Sequence, residues 1–199
     1  MQEKGKLIVI SGPSGAGKGT VINEMMKTRN DCCFSVSVTT RKPRPNEVDG
    51  REYFFVEPAR FDEMIESGEL LEHAEFVANH YGTPKDYVCK KLDEGFNVIL
   101  DIEINGARQV SEKMPEAIKI FIAPPSLKEL EKRLRGRGTE TERAIEARLI
   151  RATQEYEEAD FYDYLIVNDE PEKAAEKLSA IISASHCLFN DKKNILIGE

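Results

Sequence analysis

The sequence has no long apolar run near its N-terminus. The run that starts at Leu7 reaches only to Ile10 and is followed at once by Ser11 and glycine. A membrane-spanning helix needs about 20 apolar residues, and the core of a signal peptide needs about 7 to 15. We therefore expect neither a membrane span nor a secretory signal, and we expect a cytoplasmic protein.

Cysteine and histidine are scarce. The chain has four cysteines, Cys32, Cys33, Cys89 and Cys187, and three histidines, His73, His80 and His186. Their spacing matches neither a disulfide framework nor a set of metal ligands. We expect reduced thiols and no zinc site, and we assign no histidine to the chemistry.

Positive charge is in deficit, because 28 Lys and Arg face 36 Asp and Glu for a net charge of −8. Binding to long nucleic acid depends on cations that neutralise phosphates, so this balance argues against a nucleic-acid partner. A small polyanion can still be bound where cations cluster locally. The candidates for such clusters are the arginines at positions 41, 44, 133, 137 and 148.

The remaining composition is that of an ordinary globular protein, with 40% hydrophobic and 32% charged residues in 199. Short apolar runs alternate with segments of helical periodicity, which predicts an α/β fold with a central parallel sheet. Its predicted core strands cover residues 7–11, 98–101, 118–122 and 164–167. Two further strands, at 34–38 and 53–56, predict an inserted subdomain. Its helix is bracketed by Pro58 and Gly68.

A glycine-rich loop follows the first strand. It matches the GxxxxGK part of the P-loop pattern with Gly12, Pro13, Ser14, Gly15, Ala16, Gly17 and Lys18. Small residues let backbone N–H groups surround a phosphate, and the helix that starts near Lys18 points its positive end at the same place. The pattern departs at Gly19, because the hydroxyl comes one residue later, at Thr20. We expect phosphate binding here.

The strand at 98–101 ends in a carboxylate, Asp101. In P-loop proteins, an acid at this place holds magnesium. The competing interpretation is an acid that caps the next helix. The P-loop favours the metal role, so the expected magnesium ligands are Asp101, through water, and Thr20.

Several ordered segments together resemble the guanylate kinases, over residues 5–184. They read GPSGAGKGT at 12–20, SVSVTTRKPRPNEVDGREYFFV at 35–56, LLEHAEF at 70–76, YGTP at 81–84, ILDIEINGA at 99–107, FIAPPS at 121–126, LRGRGTET at 134–141 and IVND at 166–169. The resemblance implies a P-loop three-layer fold, with a mixed acceptor-binding subdomain at 34–90 and a helical lid at 126–157. It also implies phosphoryl transfer from ATP to GMP, with magnesium bound as MgATP.

The resemblance assigns two groups of residues to GMP. The phosphate would contact Arg41, Arg44, Tyr53 and Tyr81, and the guanine would contact Glu72, Glu103, Ser37 and Thr83. The chemistry agrees, since guanine presents two adjacent donors that a carboxylate can accept, and arginine forks match phosphate oxygens. Taken alone, Glu72 lies in an acidic, helix-like stretch, where a solvated surface charge is the usual interpretation.

The resemblance also places lid arginines around the ATP phosphates. These are Arg133, Arg137 and Arg148, with Arg137 and Asn168 near the adenine. Cations placed where charge develops are the main catalytic device in phosphoryl transfer. The catalytic set is therefore Lys18, Arg41, Asp101, Arg133, Arg137 and Arg148. The competing interpretation of Arg148 is a surface ion pair.

Three alternatives stay open. The acceptor could be AMP or dTMP, or the chain could be a non-catalytic module of the guanylate-kinase type that binds a phosphorylated peptide. The tail from residue 185 to 199 carries Leu188, Phe189, Ile195, Leu196 and Ile197. These side chains could pack on the core or form a homodimer.

Overall fold

The computed structural model describes residues 3–136, 138 and 141–188. The chain divides into two compact units. The first unit takes in the described residues of Met1–Leu7, Asp31–Leu100 and Asn105–Ala117, and the second those of Ile8–Asn30, Asp101–Ile104 and Ile118–Glu199. Helices and parallel strands alternate in the order that the sequence predicts, so the α/β class with a central parallel sheet is confirmed.

Nine strands and seven α-helices are found in the described residues. The strands are β1 (Leu7–Ser11), β2 (Cys32–Phe34), β3 (Val38–Thr39), β4 (Phe54–Phe55), β5 (Leu70–Phe76), β6 (Asn79–Pro84), β7 (Asn97–Asp101), β8 (Ile118–Ala123) and β9 (Tyr164–Val167). The helices are α1 (Lys18–Met26), α2 (Pro58–Glu66), α3 (Lys85–Asp93), α4 (Ile104–Lys113), α5 (Leu127–Gly136), α6 (Glu142–Glu157) and α7 (Pro171–Ser185). A short 3₁₀ helix covers Ala159–Phe161.

In the second unit, β8 pairs in parallel with β1 on one side and with β9 on the other. Every residue of β1 and β8 is buried, as expected for parallel strands that are covered on both faces. Helices α1 and α7 pack against each other. A separate cluster joins α5 to α6 through Leu130, Leu134, Ile145 and Ala152.

In the first unit, β2 pairs in parallel with β7. A second sheet has the order β4-β3-β6-β5, so that β5 lies at its edge. Helix α2 begins with Pro58 in its first turn, and Gly68 follows its end with a φ of 69°, as the sequence predicts. The small core of this sheet is formed by Val38, Phe61, Met64 and Leu70.

Two strands predicted for the inserted subdomain differ from those observed. The strand predicted at 34–38 is divided, since β2 ends at Phe34 and the chain joins the other sheet at Val38. The strand predicted at 53–56 contains only Phe54–Phe55. The stretch around Glu72 is a strand, because its backbone groups pair with β6 or with a side chain. The competing interpretation, a solvated charge in a helix-like stretch, does not describe it.

The helices of the described residues all fall short of the length and apolar character that crossing a membrane requires. The tail side chains of Phe189, Ile195, Leu196 and Ile197 lie outside the described residues. Their two predicted uses, packing on the core and forming a homodimer, stay predictions.

Candidate active site

The predicted phosphate loop connects β1 to α1, and two of its glycines are required by its geometry. Gly12 has a φ of 147°, and a Cβ atom there would lie 2.0 Å from the carbonyl oxygen of Ile122. Gly17 has a φ of 85°, and a Cβ atom there would lie 2.6 Å from the Nδ2 atom of Asn168. At Gly12 the backbone of Ile122 leaves no room for a side chain. At Gly17 a side chain would be strained by the positive φ and would have to displace the amide of Asn168.

Lys18 begins helix α1 and extends back across this loop. Its Nζ donates to the carbonyl oxygen of Gly12 at 2.7 Å and lies 3.9 Å from Oδ1 of Asp101. The residue that precedes the helix, Gly17, offers no side-chain cap to the first N–H groups. Free N–H groups at a helix N-terminus, beside an ammonium group, form a site suited to phosphate.

Asp101 is the last residue of β7, as the sequence predicts. Burial raises the pKa of its carboxyl group, and the charge of Lys18 opposes that shift. Within residues 3–136, 138 and 141–188, no group of three His, Cys, Asp or Glu side chains could hold a metal ion alone. A single carboxylate fits magnesium, which usually binds one or two carboxylates together with phosphates and water.

The hydroxyl candidate, Thr20, is exposed on the first turn of α1. A Cβ atom at Gly19 would meet nothing within 4 Å, so space does not exclude a side chain there. Steric exclusion by the described residues therefore does not explain why glycine, and not a residue with a hydroxyl group, follows Lys18.

Arg133 and Asn168 both donate hydrogen bonds to the backbone of the loop at Ala16. Arg133 donates to the carbonyl oxygen of Asn168 at 2.9 Å and to that of Ala16 at 3.4 Å, and it pairs with Glu129. The amide Nδ2 of Asn168 also donates to the oxygen of Ala16, at 2.7 Å. Asn168 is only 2% exposed, and its Oδ1 has no hydrogen-bond partner within the described residues. That oxygen is therefore buried with an unused capacity to accept a hydrogen bond.

Arg148 on helix α6 reaches the same loop, because its Nη1 donates to Oγ of Ser14 at 2.6 Å. The helix is fixed at its start by Thr141, whose hydroxyl caps the N–H of Ala144. The competing interpretation of Arg148 as a mere surface ion pair does not predict this contact. Arg137, the third predicted lid arginine, is not among the residues that the structure describes.

Arg41 lies in an aromatic and acidic environment in the first unit. Its guanidinium forms two hydrogen bonds with the carboxylate of Glu47, at 3.0 and 2.9 Å, and lies 5.3 Å from the ring centre of Tyr53. Tyr81 contacts Tyr53 edge-on, with 6.0 Å between ring centres. Hydrogen bonds with Glu47 and then Tyr81 raise the pKa of Arg41. Arg44 is exposed, and its backbone N–H donates to Glu47 at 2.7 Å.

Glu72 is a buried acid on β5, with 6% of its surface exposed. Thr83, on the neighbouring strand β6, donates its hydroxyl to Oε1 of Glu72 at 2.6 Å. Burial raises the pKa of the Glu72 carboxyl, while the Thr83 hydrogen bond and the charge of Lys113 oppose that shift. A buried carboxylate with a second oxygen still able to accept is well suited to recognising a ligand by its hydrogen-bond donors.

The other two residues predicted to contact the base differ from this pair. Ser37 is partly buried, and its carbonyl oxygen accepts from the N–H of Phe54 at 2.9 Å. The side chain of Glu103 is 72% exposed and pairs with Arg151 at 3.3 Å. The structure thus unites Glu72 with Thr83, and it gives Glu103 an arginine partner that the sequence did not reveal.

Comparison with known proteins identifies the family. A family model described as guanylate kinase matches residues 4–185. The guanylate kinase of Bacillus anthracis is 55% identical over 186 residues, which cover 92% of this chain and 90% of that protein. The chain belongs to the guanylate kinase family.

Two further relatives extend this guanylate kinase match. The guanylate kinase of Clostridioides difficile is 48% identical over 195 residues, which cover 98% of this chain and 95% of that protein. A crystal structure of guanylate kinase from Anaplasma phagocytophilum has a TM-score of 0.69 and 34% identity, and covers 94% of this chain and 88% of that one. The resemblance inferred from the sequence is therefore confirmed.

In this member of the guanylate kinase family, two residues that the sequence did not point to form ion pairs with predicted site residues. Glu47 pairs with Arg41 and lies only six residues away in the same loop, and this short separation is the sequence signal that could have indicated the pair. Arg151 pairs with Glu103 and lies three residues after Arg148, which puts both arginines on one helix face.

Proposed function

We propose that this protein transfers the γ-phosphoryl group of ATP to GMP, giving ADP and GDP. The observation that carries the proposal is the buried pair of Glu72 and Thr83. Guanine offers its N1–H and 2-amino donors side by side, which the carboxylate of Glu72 can accept. The hydroxyl of Thr83 already donates to Glu72, so a donor to O6 would come from Ser37. Adenine offers no such pair of donors, so AMP would leave the carboxylate unpaired at a cost in binding.

On the donor side, the proposed ATP site is the loop from Gly12 to Thr20. Its backbone N–H groups and Lys18 would bind the phosphates, with Arg133 and Arg148 adding charge. By the family resemblance, Asn168 would contact the edge of the adenine. Phosphoryl transfer depends on positioning and on cations around the transferred group, and these side chains supply both.

Magnesium would enter the site as MgATP. Asp101 would hold the ion directly or through water, and Thr20 is the second candidate ligand. When bound, the ion neutralises the charge of the β and γ oxygens. Arg137 would complete the donor side by resemblance, and it remains a proposal from the sequence alone.

On the acceptor side, the GMP phosphate would contact Arg41, Arg44, Tyr53 and Tyr81. Glu47 holds the guanidinium of Arg41 and accepts from the backbone N–H of Arg44, so the side chain of Arg41 is positioned before the ligand arrives. We assign Ser37 and Glu103 to the guanine as secondary contacts.

The roles proposed above divide the chain into three parts. We propose residues 34–90 as the acceptor-binding subdomain, 126–157 as the lid and the rest of 5–184 as the core. We further propose a cytoplasmic enzyme without membrane or nucleic-acid partners. The net charge of −8 supports the absence of a nucleic-acid partner. The substrates ATP and GMP are its partners in this account.

The test is a coupled assay of ADP release with GMP, dGMP, AMP and dTMP in parallel, with ATP and magnesium. We expect turnover with GMP and dGMP and little with AMP or dTMP. Lys18→Ala serves as the inactive control, which excludes a contaminating kinase. Turnover with AMP or dTMP above that with GMP would contradict the proposal, as would ADP release that the Lys18 variant retains.

A further inference from the structure

Gln109, on helix α4, holds the peptide groups of the strand that carries Glu72. Its Oε1 accepts from the backbone N–H of His73 at 3.1 Å, and its Nε2 donates to the carbonyl oxygen of the same residue at 3.0 Å. The side-chain amide therefore pairs with His73 as another β-strand would, at the open edge of β5. Neither the motifs nor the family resemblance singled out this residue.

Lys113 makes a second contact of this kind one helical turn later. Its Nζ donates to the carbonyl oxygen of Leu70 at 2.8 Å. Residues four apart lie on one face of a helix, so Gln109 and Lys113 contact β5 from the same side. The two attachment points on the strand, Leu70 and His73, lie on either side of Glu72.

The spacing of these attachment points reveals an irregular strand. In a regular strand, the backbone groups of residues an odd number apart point to opposite edges. Leu70 and His73 are three apart, yet both present backbone groups to α4. The pairing of β5 with β6 shifts its register between these two residues, as a β-bulge does.

The bulge determines where Glu72 points. Leu70, Leu71 and Glu72 are buried one after another, whereas a regular strand alternates between its two faces. The strand also approaches β6 closely here, because a Cβ atom on Gly82 would lie 2.9 Å from the carbonyl oxygen of Glu72. Bulges characteristically redirect one side chain, and here that side chain is the acid hydrogen-bonded to Thr83.

We propose that Gln109 is a positioning residue for base selection, because it fixes the bulge that aims Glu72 at the guanine. This inference rests on the proposed function. Without Gln109, two edge groups of His73 lose their partners, and the strand can relax toward regular pairing. Relaxation by one residue would turn Glu72 toward the opposite face.

The test uses Gln109→Leu, which removes both hydrogen bonds at similar volume, and Gln109→Glu, which keeps an acceptor for His73 N–H and loses the donor. Gln154→Leu, on the exposed face of α6, is the matched control. The readouts are KM for GMP and for ATP, and the ratio of kcat/KM for GMP to that for IMP. IMP lacks the 2-amino group, so this ratio reports how well Glu72 meets both donors.

We expect Gln109→Leu to raise KM for GMP about tenfold, to leave KM for ATP unchanged and to lower the ratio of GMP to IMP. Gln109→Glu should fall between Gln109→Leu and the parent, and Gln154→Leu should match the parent. Equal losses of kcat/KM for GMP and for IMP would overturn the positioning role. Parental values of KM and of the ratio in a folded Gln109→Leu protein would also overturn it.

Glu72→Gln, measured in the same series, distinguishes the positioning role of Gln109 from the assignment of Glu72 to the base. If Glu72→Gln lowers the ratio and Gln109→Leu does not, the positioning role is wrong and the base assignment stands. If neither lowers it, Glu72 does not select the base and both inferences are wrong.

Discussion

Thr83 donates its hydroxyl to the buried carboxylate of Glu72, with 2.6 Å between Oγ1 and Oε1. A buried acid costs stability unless its partners compensate. Burial raises the pKa of Glu72 even with this hydrogen bond in place. The folded protein therefore keeps an acid at a point where stability alone would favour a neutral side chain.

This shift predicts a pH-dependent cost to stability. As pH rises, Glu72 of the unfolded chain ionises first, at about pH 4.3, and the folded protein then loses stability until its own, raised pKa is passed. Glu72→Gln cannot ionise. The Tm difference between Glu72→Gln and the parent should therefore move in favour of the variant as the pH rises above about 4. A Tm difference that does not change with pH would contradict this.

Lys18 should be essential to turnover. It crosses the phosphate loop to the oxygen of Gly12 and lies near Asp101. Lys18→Ala should lower kcat by roughly 10²–10³, the usual effect of losing one preorganised charge-stabilising donor, with Tm little changed. Lys27→Ala, just past the end of the same helix, is the control and should turn over normally. A Lys18 variant within a few-fold of the parent would contradict the phosphate-loop assignment.

Arg148 should act on the donor side, because it contacts Ser14 of the loop. Arg148→Ala should lower kcat and raise KM for ATP while GMP affinity changes little. Arg143, on the same helix, is exposed, so Arg143→Ala is the matched control. Loss of GMP affinity with ATP use intact would show that the donor and acceptor roles have been exchanged.

Arg41 and Arg44 should show the opposite pattern. Truncation of a charge-assisted phosphate contact costs about 1.5–3 kcal/mol, so Arg41→Ala and Arg44→Ala should raise KM for GMP by about 10- to 100-fold with ATP unaffected. Arg51→Ala, whose partner is Glu52, is the control in the same segment. The measurement is steady-state kinetics with each substrate varied in turn. An unchanged KM for GMP in both variants would show that neither arginine contacts the GMP phosphate.

Local features of this fold could be predicted from the sequence. The bounds predicted for β1 and β9, Leu7–Ser11 and Tyr164–Val167, are those observed, because short apolar runs bounded by polar residues define them. The Pro58 and Gly68 signals bracket α2 as predicted. Asp101 ends its strand where the motif predicts. In each case, the information lies within a few residues.

Other features could not be predicted, because their causes are distant in the sequence. Residues 70–76 lack the β-branched side chains that mark a strand, and their pairing with β6 and α4 decides their conformation. The prediction of one strand at 34–38 is wrong because the chain changes sheets there, which no local period records. The contact of Arg133 with Ala16 joins residues 117 positions apart.

The central claim is that Glu72 selects guanine, and one ratio tests it most directly. It is kcat/KM for GMP divided by kcat/KM for AMP, measured in the parent, in Glu72→Gln and in the control Glu66→Gln. Gln replaces one accepting oxygen with a donor that faces the donors of guanine, so GMP loses a charge-assisted pair and AMP loses little. We predict that the ratio narrows by roughly 10²-fold or more in Glu72→Gln and stays parental in Glu66→Gln. A parental ratio in a folded Glu72→Gln protein would contradict the account.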